Sequence, residues 1–153
     1  MTQPELAPID VTRGEYRIST DRALLDVDLI HRFLADQSYW ARGIERARVV
    51  RSLEHSLCFG LYRADALIGF ARVVTDYATF AFLSDVFVLP ADRGRGLARW
   101  LLEVVQAHPG LQGLRRWMLV TKDAHGLYRK LGWSNPLHPE RLMEISAGAK
   151  PTD

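Results

Sequence analysis

Apolar and polar residues follow two rhythms along this chain, and the order of those rhythms predicts a mixed α/β domain. Residues 1–15 carry two prolines, scattered polar residues and no period, as a flexible N-terminal leader would. Tyr16, Arg17, Ile18, Ser19 and Thr20 read as a short first strand. Beyond it the spacing becomes helical: Leu24, Val27, Ile30 and Leu34 fall on one side with Ala23 among them. Thr20 or Asp21 offers a short oxygen-bearing side chain to the open amides of the first turn, and the helix should end near Asp36. Residues 37–43 break the pattern and set Tyr39 and Trp40 in a connection. Residues 44–55 resume it, with Ala47, Val50 and Leu53 inward and Glu45, Arg46, Arg48, Arg51 and Glu54 on a solvated face.

Strand-like runs over residues 57–63, 66–75 and 78–88 come next, joined by tight turns at Ala64-Asp65 and Asp76-Tyr77, which predicts an antiparallel meander. Gly69 interrupts the second run and suggests a bend or bulge. The third stops at Pro90, passes through Arg93, Gly94, Arg95 and Gly96, and re-emerges with Leu97, Leu101, Val104 and Val105 at helical spacing. That helix is predicted over residues 95–108, stopped by Pro109-Gly110. Residues 114–121 read as a strand whose centre, Trp117-Met118-Leu119-Val120, is apolar on both faces, as in a central strand covered on two sides. Asp123 is placed to cap a short helix carrying Tyr128, and Gly132 to end it. Pro136 and Pro139 interrupt the segment after that helix, residues 141–145 read as a final strand, and 147–153 as a frayed tail. The pattern gives a single domain over residues 16–146.

Composition narrows the classes. A chain of 153 residues supports one substantial core, and 48% apolar with 25% charged residues is ordinary for a soluble globular protein. A net charge of +2 argues against a nucleic-acid partner, which would need concentrated basic residues. No apolar run reaches the roughly 18 residues of a membrane span, and residues 1–10 lack a secretory pattern, so the expected location is cytoplasmic with no membrane partner. Cys58 is the only cysteine, which excludes an intrachain disulfide and a cysteine metal cluster. Its setting, Leu57-Cys58-Phe59-Gly60-Leu61-Tyr62, is that of a small buried hydrophobe. No metal is expected.

The turn holding Gly94 and Gly96 carries the chemistry. Glycine takes positive φ readily and lets a ligand approach the main chain, so the open amides at the start of the following helix can face one anion. Arg93 and Arg95 add positive charge there. Two common phosphate motifs fail: the turn has no lysine for G-x-x-x-x-G-K-[ST], and Arg99 stands where G-x-G-x-x-G needs a small residue. What remains is R-x-x-G-x-A, formed by Arg93, Gly94, Arg95, Gly96, Leu97 and Ala98.

Preceded by Val86-Phe87-Val88-Leu89-Pro90, that pattern resembles the pyrophosphate signature of the GNAT superfamily of acyl-CoA N-acyltransferases. Downstream, Ala124-His125-Gly126-Leu127-Tyr128-Arg129-Lys130-Leu131-Gly132-Trp133 is similar to the family's A-x-x-x-Y-x-K-x-G-aromatic segment. The resemblance spans residues 16–145 and implies an α/β (α+β) fold: a mixed, mostly antiparallel six- to seven-stranded sheet, helices on both faces, and a splayed central strand pair. It implies acetyl-CoA as acyl donor, with the pantetheine arm along Val86, Phe87 and Val88 and the diphosphate on Arg93, Gly94, Arg95, Gly96, Leu97 and Ala98. Thr121 stands where many members carry an asparagine that contacts the pantetheine, and it retains a hydroxyl for the purpose.

The resemblance further implies that the Val88 amide holds the oxyanion, that Tyr128 protonates the departing thiolate, and that Tyr39 and Trp40 line the acceptor pocket. Asp85 is the candidate base, with Asp76, His125 and a water chain as alternatives. The expected activity is N-acetyl transfer to a primary amine in a ternary complex. A non-catalytic acyl-CoA sensor is the alternative, and an ATP module is disfavoured by the failed motifs. The identity of the amine stays open, as does assembly into a homodimer.

Overall fold

Six strands, ordered in space as in the sequence, make one sheet in the computed structural model, which describes residues 7–148. They are β1 (Asp10–Arg13), β2 (Tyr16–Ser19), β3 (Leu57–Arg63), β4 (Ala66–Thr75), β5 (Phe80–Val88) and β6 (Arg116–Met118). Every neighbouring pair is antiparallel except β5 and β6, which run parallel. The helices are α1 (Val27–Arg32), α2 (Arg46–Glu54), α3 (Leu97–Gln106) and α4 (His125–Lys130). The chain divides into two compact units, one ending at Thr121 and the other starting at Lys122.

Alternation along the strands gives the first unit its two packed faces. Cys58 and Tyr62 of β3 join Ile30, Phe33, Leu34, Val49 and Leu53 in one buried cluster, so α1 and α2 cover that face. Phe59, of opposite parity, meets His108 past the end of α3 edge to face at 5.7 Å, which places that helix end on the other face. Burial of Leu97, Trp100, Leu101, Leu102 and Val105 fastens α3, each large apolar side chain contributing about 1.5–3 kcal/mol. The expected sheet with helices on both faces is therefore borne out, with six strands.

Several boundaries differ from the sequence reading. Residues 10–13, assigned to the leader, form β1 and pair in a hairpin with β2; residues 1–6 lie outside the description. The long first helix is broken. Asp21 caps only a single 3₁₀ turn, Arg22–Leu24, and Asp26 then accepts the Leu29 amide at 3.1 Å to start α1. Two competing caps leave Leu25 extended between them. A π turn, Phe33–Gln37, closed by the Ser38 amide on the Phe33 carbonyl, ends the segment and releases Tyr39 and Trp40 outward. In α2 the inward residues are Val49 and Leu53, while Ala47 is exposed.

Gly69 does sit at a bulge. Leu61 pairs with Gly69 but Tyr62 with Leu67, leaving Ile68 extra, and a Cβ on Gly69 would lie 2.9 Å from Leu61 and 3.0 Å from the Phe87 carbonyl. The splayed pair is β5 with β6, joined only from Phe80 to Phe82. It lies at the sheet edge, so β6 is no central strand: it is partly exposed, and Val120 beyond it is exposed. Residues 141–145 form no strand and leave Met143 and Ile145 exposed, since Pro139 starts a 3₁₀ turn, Pro139–Arg141, that takes the chain out of extended geometry. Of the expected frayed tail, residues 149–153 lie outside the description.

Candidate active site

The end of β5 builds the site. Phe87 turns into the core, stacked on Phe33 at 3.9 Å, and Val88 is buried beside it, so the strand's last residues are anchored by apolar packing. Past Phe82, β5 has lost β6 as a partner, which leaves Val86, Phe87 and Val88 with no partner strand on that side. Arg93 reaches back and donates through Nε to the Val88 carbonyl at 2.9 Å. That bond ties the turn to the strand.

Gly94 and Gly96 take φ of 81° and 73°, the left-handed region glycine enters without cost. Gly96 is also the N-cap of α3, and the first intrahelical bond runs from the Trp100 amide to the Gly96 carbonyl. The amides of Leu97, Ala98 and Arg99 precede that bond, so helix geometry leaves them available as donors at the positive end of the dipole. A Cβ on Gly94 or Gly96 would meet nothing within 4 Å, so open space adjoins these donors. Leu97 is buried and Ala98 half-buried. Arg95 is drawn aside: its guanidinium donates to the Tyr16 hydroxyl of β2 at 2.8 Å, a partner the sequence reading missed.

Asp85 occupies a second bulge. Phe70 pairs with Phe87 and Arg72 with Ser84, so the single residue Ala71 faces both Asp85 and Val86, and Asp85 takes φ 53°. Its carboxylate is held from two sides, by Arg72 Nε at 2.8 Å and by Trp40 Nε1 at 2.8 Å. Trp40 and Tyr39 stand edge to face at 5.0 Å and are 42% and 49% exposed. The structure thus brings together three of the residues singled out in the sequence, Tyr39, Trp40 and Asp85, and adds Arg72. A charged residue inside the apolar run Phe70-Ala71-Arg72-Val73 was the available signal, because a buried charge needs a partner.

Asp76 is spent on its turn. It accepts from the Ala78, Thr79 and Phe80 amides and from the Thr79 hydroxyl, and these bonds, the hydroxyl first, hold its carboxyl far below the usual carboxylate range. A carboxylate so held is a poor base. Burial pushes the Cys58 thiol up to about 11, consistent with an inert core residue. Thr121 lies past β6 at the end of the first unit. In the second unit, Tyr128 is buried in α4 with its ring 5.8 Å from that of Trp133, and the Trp133 amide donates to the Tyr128 carbonyl. Ala124, with no side-chain cap, starts α4 in place of the expected Asp123, and Gly132 follows with φ 93°.

Known proteins share this fold. The family model described as an acetyltransferase (GNAT) domain matches residues 54–135. A curated relative from Gibberella zeae, provisionally named an acetyltransferase, is 37% identical over 143 residues, covering 80% of this chain and 81% of its own. A crystal structure from Xanthomonas campestris pv. campestris, assigned provisionally as a GNAT acetyltransferase, superposes with a TM-score of 0.85 at 53% identity, covering 86% of this chain and 93% of that one. A predicted acetyltransferase from Clostridium acetobutylicum, crystallised with acetyl-CoA, shares the fold with a TM-score of 0.60 at 18% identity over 86% of this chain and 94% of its own.

Proposed function

Because the chain belongs to the GNAT family of acetyltransferases, we propose that it transfers an acetyl group from acetyl-CoA to a primary amine by direct attack in a ternary complex. The observation that carries the reading is one juxtaposition: a strand edge with no partner strand past Phe82 runs directly into an open, glycine-lined helix start at Gly96. A ligand with an amide-rich arm and a diphosphate matches both halves, and acetyl-CoA has that form. The acetyl-CoA bound by the Clostridium acetobutylicum neighbour supports the same assignment.

In this reading the amides of Gly94, Arg95, Gly96, Leu97 and Ala98 bind the diphosphate, and the edge of Val86, Phe87 and Val88 takes the pantetheine with Thr121 as a further contact. An alkylamine has a pKa near 10.4, so at neutral pH fewer than about one molecule in a thousand is ready to attack. Its lone pair forms the C–N bond as the carbonyl oxygen gains charge, which the Val88 amide stabilises. The C–S bond then breaks and Tyr128 gives its proton to the thiolate. Transfer from a phenol near 10 to a thiolate whose thiol has a pKa near 8.5 is uphill by about 2 kcal/mol, so it accompanies bond breaking. Asp85 already accepts from Arg72 and Trp40, so the proton the amine loses as the C–N bond forms passes through water rather than through that carboxylate alone, and it restores the Tyr128 hydroxyl.

The test is a panel of amines, amino acids and peptides assayed for thiol release from acetyl-CoA. Acceptor-dependent release with sequential kinetics is expected. Tight acetyl-CoA binding with no release above buffer hydrolysis for any acceptor would overturn it in favour of an acyl-CoA sensor.

A further inference from the structure

Arg72 sits in the middle of β4 with 16% of its side chain exposed, and its guanidinium is used on three sides. Nε donates to Asp85 Oδ2 at 2.8 Å, Nη1 to Ser56 Oγ at 3.1 Å and Nη2 to Ser84 Oγ at 3.3 Å. Ser56 is itself fixed, its hydroxyl donating to the Ser52 carbonyl of α2 at 2.7 Å. On the far side, the other oxygen of Asp85 accepts from the Trp40 indole at 2.8 Å. A continuous chain of bonds therefore runs from the end of α2 through β4 and the β5 bulge to an aromatic ring at the surface. Every group in it lies in the first unit.

Two features separate this chain of bonds from ordinary core pairing. The Asp85 carboxylate is 9% exposed and its backbone has φ 53°, a conformation that persists only where surroundings over-determine it. Its other partner is the reverse of buried: Trp40 is 42% exposed, and Tyr39 stands at 84° to it, so the two rings form an open right-angled corner. A half-exposed indole left to itself samples several rotamers. Here a bond to a fixed carboxylate, with the buried Phe33 ring 6.5 Å from the indole, selects one.

We infer that Arg72 is a positioning residue: by holding Asp85 in the bulge it fixes the indole of Trp40, and with it the aromatic corner against which the amine acceptor packs. The forked, planar guanidinium meets three acceptors at once, which a lysine ammonium on a flexible stem does not reproduce. The inference rests on the proposed function for the word acceptor. The coupling from Arg72 to Trp40 does not.

The experiment reads both parts on the full-length chain. The sequence has four tryptophans, so a ¹⁵N-labelled sample shows four indole N–H signals, and loss of one in Trp40→Phe identifies that of Trp40. In Arg72→Lys and in Asp85→Asn the Trp40 signal should move toward that of a solvent-exposed indole, with its hydrogen exchange about tenfold faster, the scale of one charge-assisted bond. The acceptor KM should rise about tenfold in Arg72→Lys while the acetyl-CoA KM stays within about twofold. Should Arg72→Lys fail to fold, Arg72→Met combined with Asp85→Asn removes both charges together and leaves neither uncompensated; the same loosening of Trp40 is expected. An unmoved Trp40 signal in the folded variants would overturn the inference, as would equal rises in both KM values. A chain that shows the coupling but acetylates nothing would overturn the proposed reaction and leave the assignment of Arg72 standing.

Discussion

Three glycines allow the proposed cradle to be separated from mere backbone need. Gly94, Gly96 and Gly113 have φ of 81°, 73° and 75°, and a Cβ on any of them meets no atom within 4 Å. Alanine at each position therefore pays only the left-handed strain, about 1–2 kcal/mol. For a chain of this length each kcal/mol lowers Tm by about 2–4 °C, so all three variants should melt about 2–8 °C below the parent. Gly113 lies in the turn before β6, apart from the cradle residues, and serves as the control of equal strain. With acetyl-CoA present at a hundred times its Kd, the parent gains about 2.7 kcal/mol. A tenfold weaker site gains only about 1.4 kcal/mol, which costs about 3–5 °C of the ligand-induced shift. Gly94→Ala and Gly96→Ala should lose at least that much, because in the proposed cradle the added methyl and the altered amides would meet the diphosphate, while Gly113→Ala keeps the full shift. Equal shifts in all three variants, measured by thermal melts across an acetyl-CoA titration, would show that the glycines serve the turn alone.

Other outcomes turn on single groups. Tyr128→Phe should lower kcat by about 10² or more with little change in the acetyl-CoA-induced melting shift, and an undiminished kcat removes Tyr128 from the reaction. Asp76 has its folded pKa depressed by the bonds from the Thr79 hydroxyl and the turn amides, so its contribution to stability is present above the unfolded value near 3.9 and is lost as pH falls through the folded one. Denaturant midpoints of Asp76→Asn between about pH 5 and pH 2.5 should accordingly fall less steeply than the parent's. His108 is buried, its Nδ1 accepting from the Gly110 amide at 3.0 Å, and burial lowers its pKa. Its contribution is complete above the unfolded value near 6.5 and is lost as pH falls through the folded one, so His108→Asn, which keeps an acceptor but does not titrate, should flatten the stability profile between about pH 7.5 and pH 5.

Where structure is local, the sequence discloses it. The limits of β3 and β4, the helix start at the glycine turn, the bulge at Gly69 and the short helix under Tyr128 all arise from turn residues and period, which act over a few positions. Errors arise where two local signals compete or where a partner decides. Asp21 and Asp26 both offer helix caps, and the longer apolar face behind Asp26 prevails. Residues 10–13 have too little apolar character to announce a strand, and become one because β2 presents an edge to pair with. The strands read at 114–121 and 141–145 shrink or fail because apolar composition alone creates no ladder partner.

The Arg72–Asp85 pair shows why the site resisted reading even though Asp85 was singled out. In the ladder that runs from Thr75 opposite Ala81, Arg72 faces Ser84, and side chains one residue further along β5 point to the opposite face of the sheet. Period-two reasoning therefore puts Asp85 on the wrong side of β5 to meet Arg72. The extra residue at Asp85–Val86 reverses that parity, as the extra Ile68 does on β4, where it lets Leu67 and Phe70 share one cluster although an odd number of positions separates them. A bulge is a relation between two strands and leaves little trace in either alone. What the sequence does carry is a charge in an apolar strand with Asp76 and Asp85 as nearby acids; the structure commits Asp76 to its own turn and pairs Asp85 with Arg72. The register slips by one residue at that point, and the Asp85 carboxylate held there by Arg72 also accepts from Trp40.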